Sequence, residues 1–213
     1  VRDFNGHQPP WPFPAGAAVV GSPPELQPSL QAGGDPGHRD GQLQGAGGQD
    51  SDPCTRMYLH EVFKGRYHPQ PKVASFPNVK QLDEIYTVGP ITVRSACSHH
   101  LVPIMGNCWI GIKPGARVIG LSKFTRVADW VFSRPHIQEE AVMILADEIE
   151  KLCEPQGLGI IVKAQHYCMK WRGVKEPQTS MVNSIVRGDF RHDPSLKQEF
   201  FELVRQQEAL LSS

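Results

Sequence analysis

The chain lacks any apolar run approaching the roughly 20 residues that a membrane-spanning helix needs. It also lacks net charge. Twenty-two basic residues balance 22 acidic ones among 213, so no bulk field draws nucleic acid or an anionic membrane, and neither is expected as a partner. Five cysteines, Cys54, Cys97, Cys108, Cys153 and Cys168, are an odd number without regular spacing. That argues against a disulfide framework and for a reducing compartment, so a soluble, cytoplasmic protein is expected. The first 52 residues carry only Arg2 and Arg39 as basic residues among several acids, which resembles neither a secretory signal nor an Arg-rich transit peptide. No internal repeat is present.

What the chain does have is unevenly spread. Residues 1–52 hold eight of the 19 prolines and ten of the 20 glycines. Stretches such as "PPWPFPAG" and "GQLQGAGGQD" cannot bury enough apolar surface to offset backbone ordering, and a disordered tail is expected over 1–52. Trp11 and Phe13 read either as a short docking motif or as incidental aromatics in that tail. Residues 53–213 are expected to form one domain.

Within 53–213 the hydrophobic period changes several times. "PCTRMYLHEVFKG" spaces Met57, Leu59, Val62 and Phe63 as a helix with Gly65 as its stop. Residues 84–96 and 106–114 read as strands, with Gly89-Pro90 marking a break or bulge. Residues 121–134 predict a helix burying Phe124, Val127, Ala128 and Val131. Pro135 is expected to open a second helix to about Cys153, facing inward through Ile137, Ala141, Leu145, Ile149 and Leu152. Residues 158–173 and 180–190 return to strand chemistry as a hairpin, and 195–211 predict a final amphipathic helix. The order is that of an α+β protein with helices packed on one face of an antiparallel sheet.

The chemistry concentrates in two short segments. "SACSHHLVPI" places Cys97 and His100 in a Cys-x-x-His pair, with His99 between them, and "HYCMKWRG" supplies His166 and Cys168 as His-x-Cys. On a strand, residues two apart project to the same face, so His166 and Cys168 can point together. Two thiolates with one or two imidazoles are a donor set suited to Zn²⁺. Three protein ligands would leave a position for water, as catalytic sites do, whereas four would close a structural site. A third reading makes Cys97 and Cys168 buried apolar thiols and the histidines surface residues. Spacing does not choose among these.

"CSHHLVPI", "GLSKFTR", "RPHIQEE", "HYCMKWRGV" and the last helix, in that order and spacing, resemble GTP cyclohydrolase I over roughly residues 53–205. The resemblance implies the tunnelling fold, in which small sheets join around a barrel and active sites form between subunits of a ring-shaped homo-oligomer, a decamer in that family. It implies Zn²⁺ on Cys97, His100 and Cys168, with His99, His166 and Ser122 serving catalysis. It also implies conversion of GTP and water to 7,8-dihydroneopterin triphosphate and formate, the entry step to folate or biopterin. By the same resemblance Ser122, Lys123, Arg126 and Arg172 serve the ribose and triphosphate, and the last three are the residue types that a polyanion requires. Glu139 matches the purine-reading carboxylate, with Gln138 as the adjacent amide. A carboxylate can accept from both N1–H and the 2-amino group of guanine, donors that adenine does not offer.

Three departures stand beside the match. Ser98 occupies the place of a glutamate in the family's Cys-Glu-His-His block. Pro53 stands where a phosphate-binding arginine belongs, with Arg56 the nearest basic substitute. A Pro/Gly-rich arm takes the place of the N-terminal helices. These departures motivate one rival, a zinc-binding module that assembles with or regulates an active paralogue. A second, an enzyme of the same fold acting on another purine or pterin, has Glu139 and the phosphate-binding cations against it.

Overall fold

A computed structural model describes residues 52–211. The expected tail, with Trp11 and Phe13, lies outside the described residues apart from Asp52. Asp52 belongs to the domain: its carboxylate accepts from the Thr55 N–H and caps α1 (Pro53–Met57), where proline fills the first helical position. A π-helical turn, Tyr58–Val62, follows, then the one-turn α2 (Lys64–Tyr67). Gly65 was expected to stop the first helix but lies inside α2. A side chain there would drive a Cβ to 2.0 Å from the Trp130 carbonyl oxygen, so the glycine serves a close backbone approach rather than a terminus.

Seven strands follow: β1 (Ser75–Pro77), β2 (Tyr86–Cys97), β3 (Pro103–Lys113), β4 (Arg117–Ile119), β5 (Pro135–His136), β6 (Gly157–His166) and β7 (Met181–Gly188). β1 and β4 form a small ladder of their own, and the main sheet runs β5-β2-β3-β6-β7. Its long pairings are antiparallel, and the β2–β3 register shifts between Val88 and Ile91, at the expected Gly89-Pro90 break. β5 corrects the helix expected from Pro135. Pro135 and His136 instead pair in parallel with Ala96 and Cys97, an edge position where the missing proline N–H costs no ladder bond. Helix α4 therefore begins only at Gln138 (Gln138–Cys153).

Helix α3 (Leu121–Phe132) buries Phe124, Val127, Ala128 and Val131, as its period predicts. Ala141, Leu145 and Ile149 of α4 are buried too, but Ile137 precedes the helix and is exposed. Together they close the main core over Val93, Cys108, Ile110, Ile160 and Val162. The alternate positions of β3 and β6 face the other way. There Trp109 and Ile161 form a second core with Phe190, Phe200 and Val204 from α6 (Asp189–His192) and α7 (Pro194–Ala209). Helices thus cover both faces rather than one.

The reason lies in two facing glycines. Gly111 and Gly159 are register partners, and a Cβ on either would meet the Phe200 ring at 2.3 or 2.6 Å. Their bare backbones make the trough in which Phe200 lies, stacked on Phe190 with ring centroids 5.5 Å apart. Truncating Phe200 to alanine empties that trough. It should cost about 3–5 kcal/mol of stability, read as a lowered denaturation midpoint at unchanged m-value.

Candidate metal centre and active site

The first half of the site is built by a tight turn. Cys97 ends β2, and its N–H donates to the Val102 carbonyl at 2.9 Å while its carbonyl accepts from the Leu101 N–H at 2.8 Å. Leu101 closes the turn with φ of +53°, a left-handed conformation that a branched residue adopts only when its surroundings impose it. Part of that imposition comes from Tyr58, whose hydroxyl donates to the Leu101 carbonyl at 3.0 Å. Ser98 is held from the β5 side by its backbone N–H, 3.1 Å from the His136 carbonyl. Its own side chain is exposed. His136 is buried and donates Nε2–H to the Val131 carbonyl at 3.1 Å; burial, with Arg134 adding to it, pushes its imidazole down to about 4.

The second half corrects an expectation. His166 ends β6, but the strand stops there, and Cys168 sits in the single-turn helix α5 (Tyr167–Lys170). The two side chains are therefore not brought to one face by strand alternation.

The donor atoms of Cys97, His100 and Cys168 all lie within 4.8 Å of one another. Cys97 Sγ is 3.8 Å from His100 Nδ1. Tetrahedral Zn–S and Zn–N bonds of about 2.3 and 2.0 Å place such ligands roughly 3.6 Å apart, so the three residues fit one ion with little movement. The chemistry of the set argues the same way. Burial raises the Cys168 thiol, and the neighbouring Cys97 raises it further, while Arg172 pulls it down. A bound cation would reverse that upward push on the Cys168 thiol. His99 Nδ1 is also 3.8 Å from Cys97 Sγ, but His99 is outside the converging set.

His166 stands beside this group. Burial lowers its imidazole pKa, and the Glu139 carboxylate opposes that shift. Glu139 is exposed on the first turn of α4, whereas Gln138 is buried with its Oε1 2.8 Å from His166 Nε2. The structure thus brings Cys97, His99, His100, His166, Cys168, Arg172, Gln138 and Glu139 into one neighbourhood. Ser122, Lys123 and Arg126 occupy the start of α3, with Lys123 half-buried and the other two exposed. No hydrogen bond or ion pair among the described residues ties them to the metal cluster. Arg56 is exposed at the end of α1.

Asn183 and Tyr58 were not singled out from the sequence. Asn183 Oδ1 accepts from the Gln138 amide N–H at 2.6 Å, and its only local signal is a polar residue between Val182 and Ser184 on a strand.

A family model described as GTP cyclohydrolase I matches residues 48–205. The chain belongs to the GTP cyclohydrolase I family. GTP cyclohydrolase 1 of Brevibacillus brevis is 36% identical over 177 residues, covering 83% of this chain and 91% of the relative. The Chromohalobacter salexigens enzyme of that name is 40% identical over 124 residues, 58% of this chain and 67% of its own. The Coxiella burnetii one is 33% identical over 158 residues, 74% and 86%. Membership makes the chain an enzyme of the GTP cyclohydrolase type, with a Cys/His/Cys cluster placed to hold a metal. No helix among the described residues is long and apolar enough to cross a membrane.

If Cys168 is a ligand, Cys168→Ser should lose the metal. Elemental analysis is expected to find about one zinc per chain in the parent protein and a small fraction of that in the variant. Full occupancy in Cys168→Ser would remove it from the set.

Proposed function

We propose that residues 53–213 are the catalytic domain of a zinc-dependent enzyme that converts GTP and water to 7,8-dihydroneopterin triphosphate and formate. The observation that carries this reading is the convergence of Cys97, His100 and Cys168 with His166 and Glu139 close by. Zinc held by those three residues supplies a Lewis acid that brings the pKa of water at the ion towards about 7. Everything else is done by the chain.

Glu139 accepts from N1–H and the 2-amino group of guanine and so selects the base. His166, once it has taken up a proton, passes it to N7 as water adds at C8, which makes C8 electrophilic and helps open the imidazole ring. A second addition of water releases C8 as formate. His99 and Ser122 assist opening of the ribose and its rearrangement before the pterin ring closes with loss of water, leaving one water consumed overall. Lys123, Arg126 and Arg172 neutralise the triphosphate, which carries about four negative charges. Arg56 is the candidate to replace the phosphate arginine whose place Pro53 takes.

The cations of α3 are not tied to the metal cluster within one chain. That agrees with active sites completed between subunits of a homo-oligomeric ring, a decamer by resemblance to the family. A cytoplasmic location follows from the reduced thiols that the site needs. Ser98 supports a second reading, a catalytically impaired module that regulates an active paralogue, because the turn carries no acidic side chain beside the metal.

One assay separates these readings. Zinc-loaded oligomer at millimolar GTP should release formate and yield a pterin that fluoresces after oxidation and dephosphorylation. His99→Ala should keep zinc and lose about 10²- to 10⁴-fold in turnover, whereas His100→Ala should lose both. Formate no higher than in a zinc-free control would favour the regulatory module. Equal zinc loss in the two histidine variants would contradict the roles assigned to them.

A further inference from the structure

Gln138 is 3% exposed, at the junction of α4 with β6 and β7. Its amide nitrogen lies 2.6 Å from Asn183 Oδ1, 3.2 Å from the Val162 carbonyl oxygen and 3.5 Å from that of Met181. Backbone carbonyls only accept, so this end of the amide must be the NH₂ end, and Asn183 must turn its oxygen towards it. Rotating the amide by half a turn would set its oxygen against three acceptors in a buried site, which no pairing would offset. The orientation is therefore fixed by chemistry and not merely by assignment.

The other end follows. Gln138 Oε1 can only accept, and it lies 2.8 Å from His166 Nε2, so Nε2 carries the hydrogen. A neutral imidazole has one N–H, which leaves the lone pair on Nδ1. Val162 and Asn183 are register partners across β6 and β7, so the sheet itself sets two of the three acceptors side by side.

We propose that Asn183 and Gln138 are positioning residues that lock His166 in the Nε2–H tautomer and so make Nδ1 the atom through which His166 exchanges a proton with substrate. The proposal rests on the reading of His166 as a proton-transfer group. It differs from a role for the Gln138 side chain in contacting the purine, because that amide's donors and acceptor are already engaged with protein groups.

The test uses the zinc-loaded, full-length oligomer with ¹⁵N-labelled histidine. Ring ¹⁵N shifts of neutral His166 should report the Nε2–H form in the parent protein, a result that needs no variant. Asn183→Asp retains an acceptor oxygen and should keep that tautomer and a near-normal kcat. Asn183→Leu and Gln138→Leu should populate the Nδ1–H form. They should also lower kcat by about 10- to 100-fold, the usual scale for losing a partner that orients a working imidazole, with KM for GTP within about twofold and zinc content intact.

An Nδ1–H or mixed tautomer in the parent protein would overturn the proposal. So would Gln138→Leu raising KM with kcat and tautomer unchanged, since that is how a substrate contact behaves. His166→Ala is the separate control: full turnover in that variant sinks the proton-transfer reading, whereas the tautomer measurement judges the relay by itself.

Discussion

Two thiols and an imidazole must be held inside 4.8 Å, although burial and the neighbouring Cys97 already raise the Cys168 thiol. Much of the fold can be understood from how that is done. Cys97 ends β2 and Cys168 follows β6, and β3 lies between them in the sheet. Strands spaced about 4.8 Å apart leave the ends of β2 and β6 close to 10 Å from each other. The donors meet only because both chains leave the sheet at the same end: one into the turn closed by Leu101, the other into α5. The long β2–β3–β6 ladders fix where those exits occur, and the core under α3 and α4 keeps the ladders rigid.

The same sheet end carries the groups that would handle protons and base. His166 is the last residue of β6, and Gln138 and Glu139 open α4 immediately after β5, which pairs with β2 at Cys97 itself. A short parallel strand thereby joins the turn that carries Cys97 to the helix that presents Glu139, the carboxylate proposed to read the purine. Gln138 then ties that helix to β6 and β7 through buried hydrogen bonds. Displacing any one of these elements would move the Cys/His/Cys donors, His166 and Glu139 together. A change at β7 is therefore expected to reach the chemistry although it touches no metal ligand.

How far the sequence revealed this depended on the kind of information needed. The clustering of Cys97, His100 and Cys168 was legible through the match of several blocks with one family, because spacing alone left buried thiols and surface histidines equally open. The period of α3 named its buried face, and that of α4 named Ala141, Leu145 and Ile149 though not Ile137, since 3.6-residue spacing is a local property. Pro135 misled because a proline favours the first turn of a helix equally well whether or not a neighbouring strand claims it; the pairing with Ala96 is a tertiary fact. Gly111 and Gly159 look like poor strand residues until Phe200, far along the chain, is seen to fill the space above them. Asn183 was silent for the same reason. Its role exists only once the β6–β7 register sets it beside Val162 and Gln138.

The central claim is that this turn and this short helix build a three-ligand site for one metal ion, with two thiolates and a position left open. Cobalt substitution measures it most directly, because d–d and thiolate-to-metal charge-transfer bands report geometry and ligand type in one spectrum. The account predicts that the metal-free protein takes up about one Co²⁺ per chain, with intense tetrahedral d–d absorption and charge transfer scaled to two thiolates, and that the bands shift when GTP is added. Weak octahedral absorption without thiolate charge transfer would contradict it.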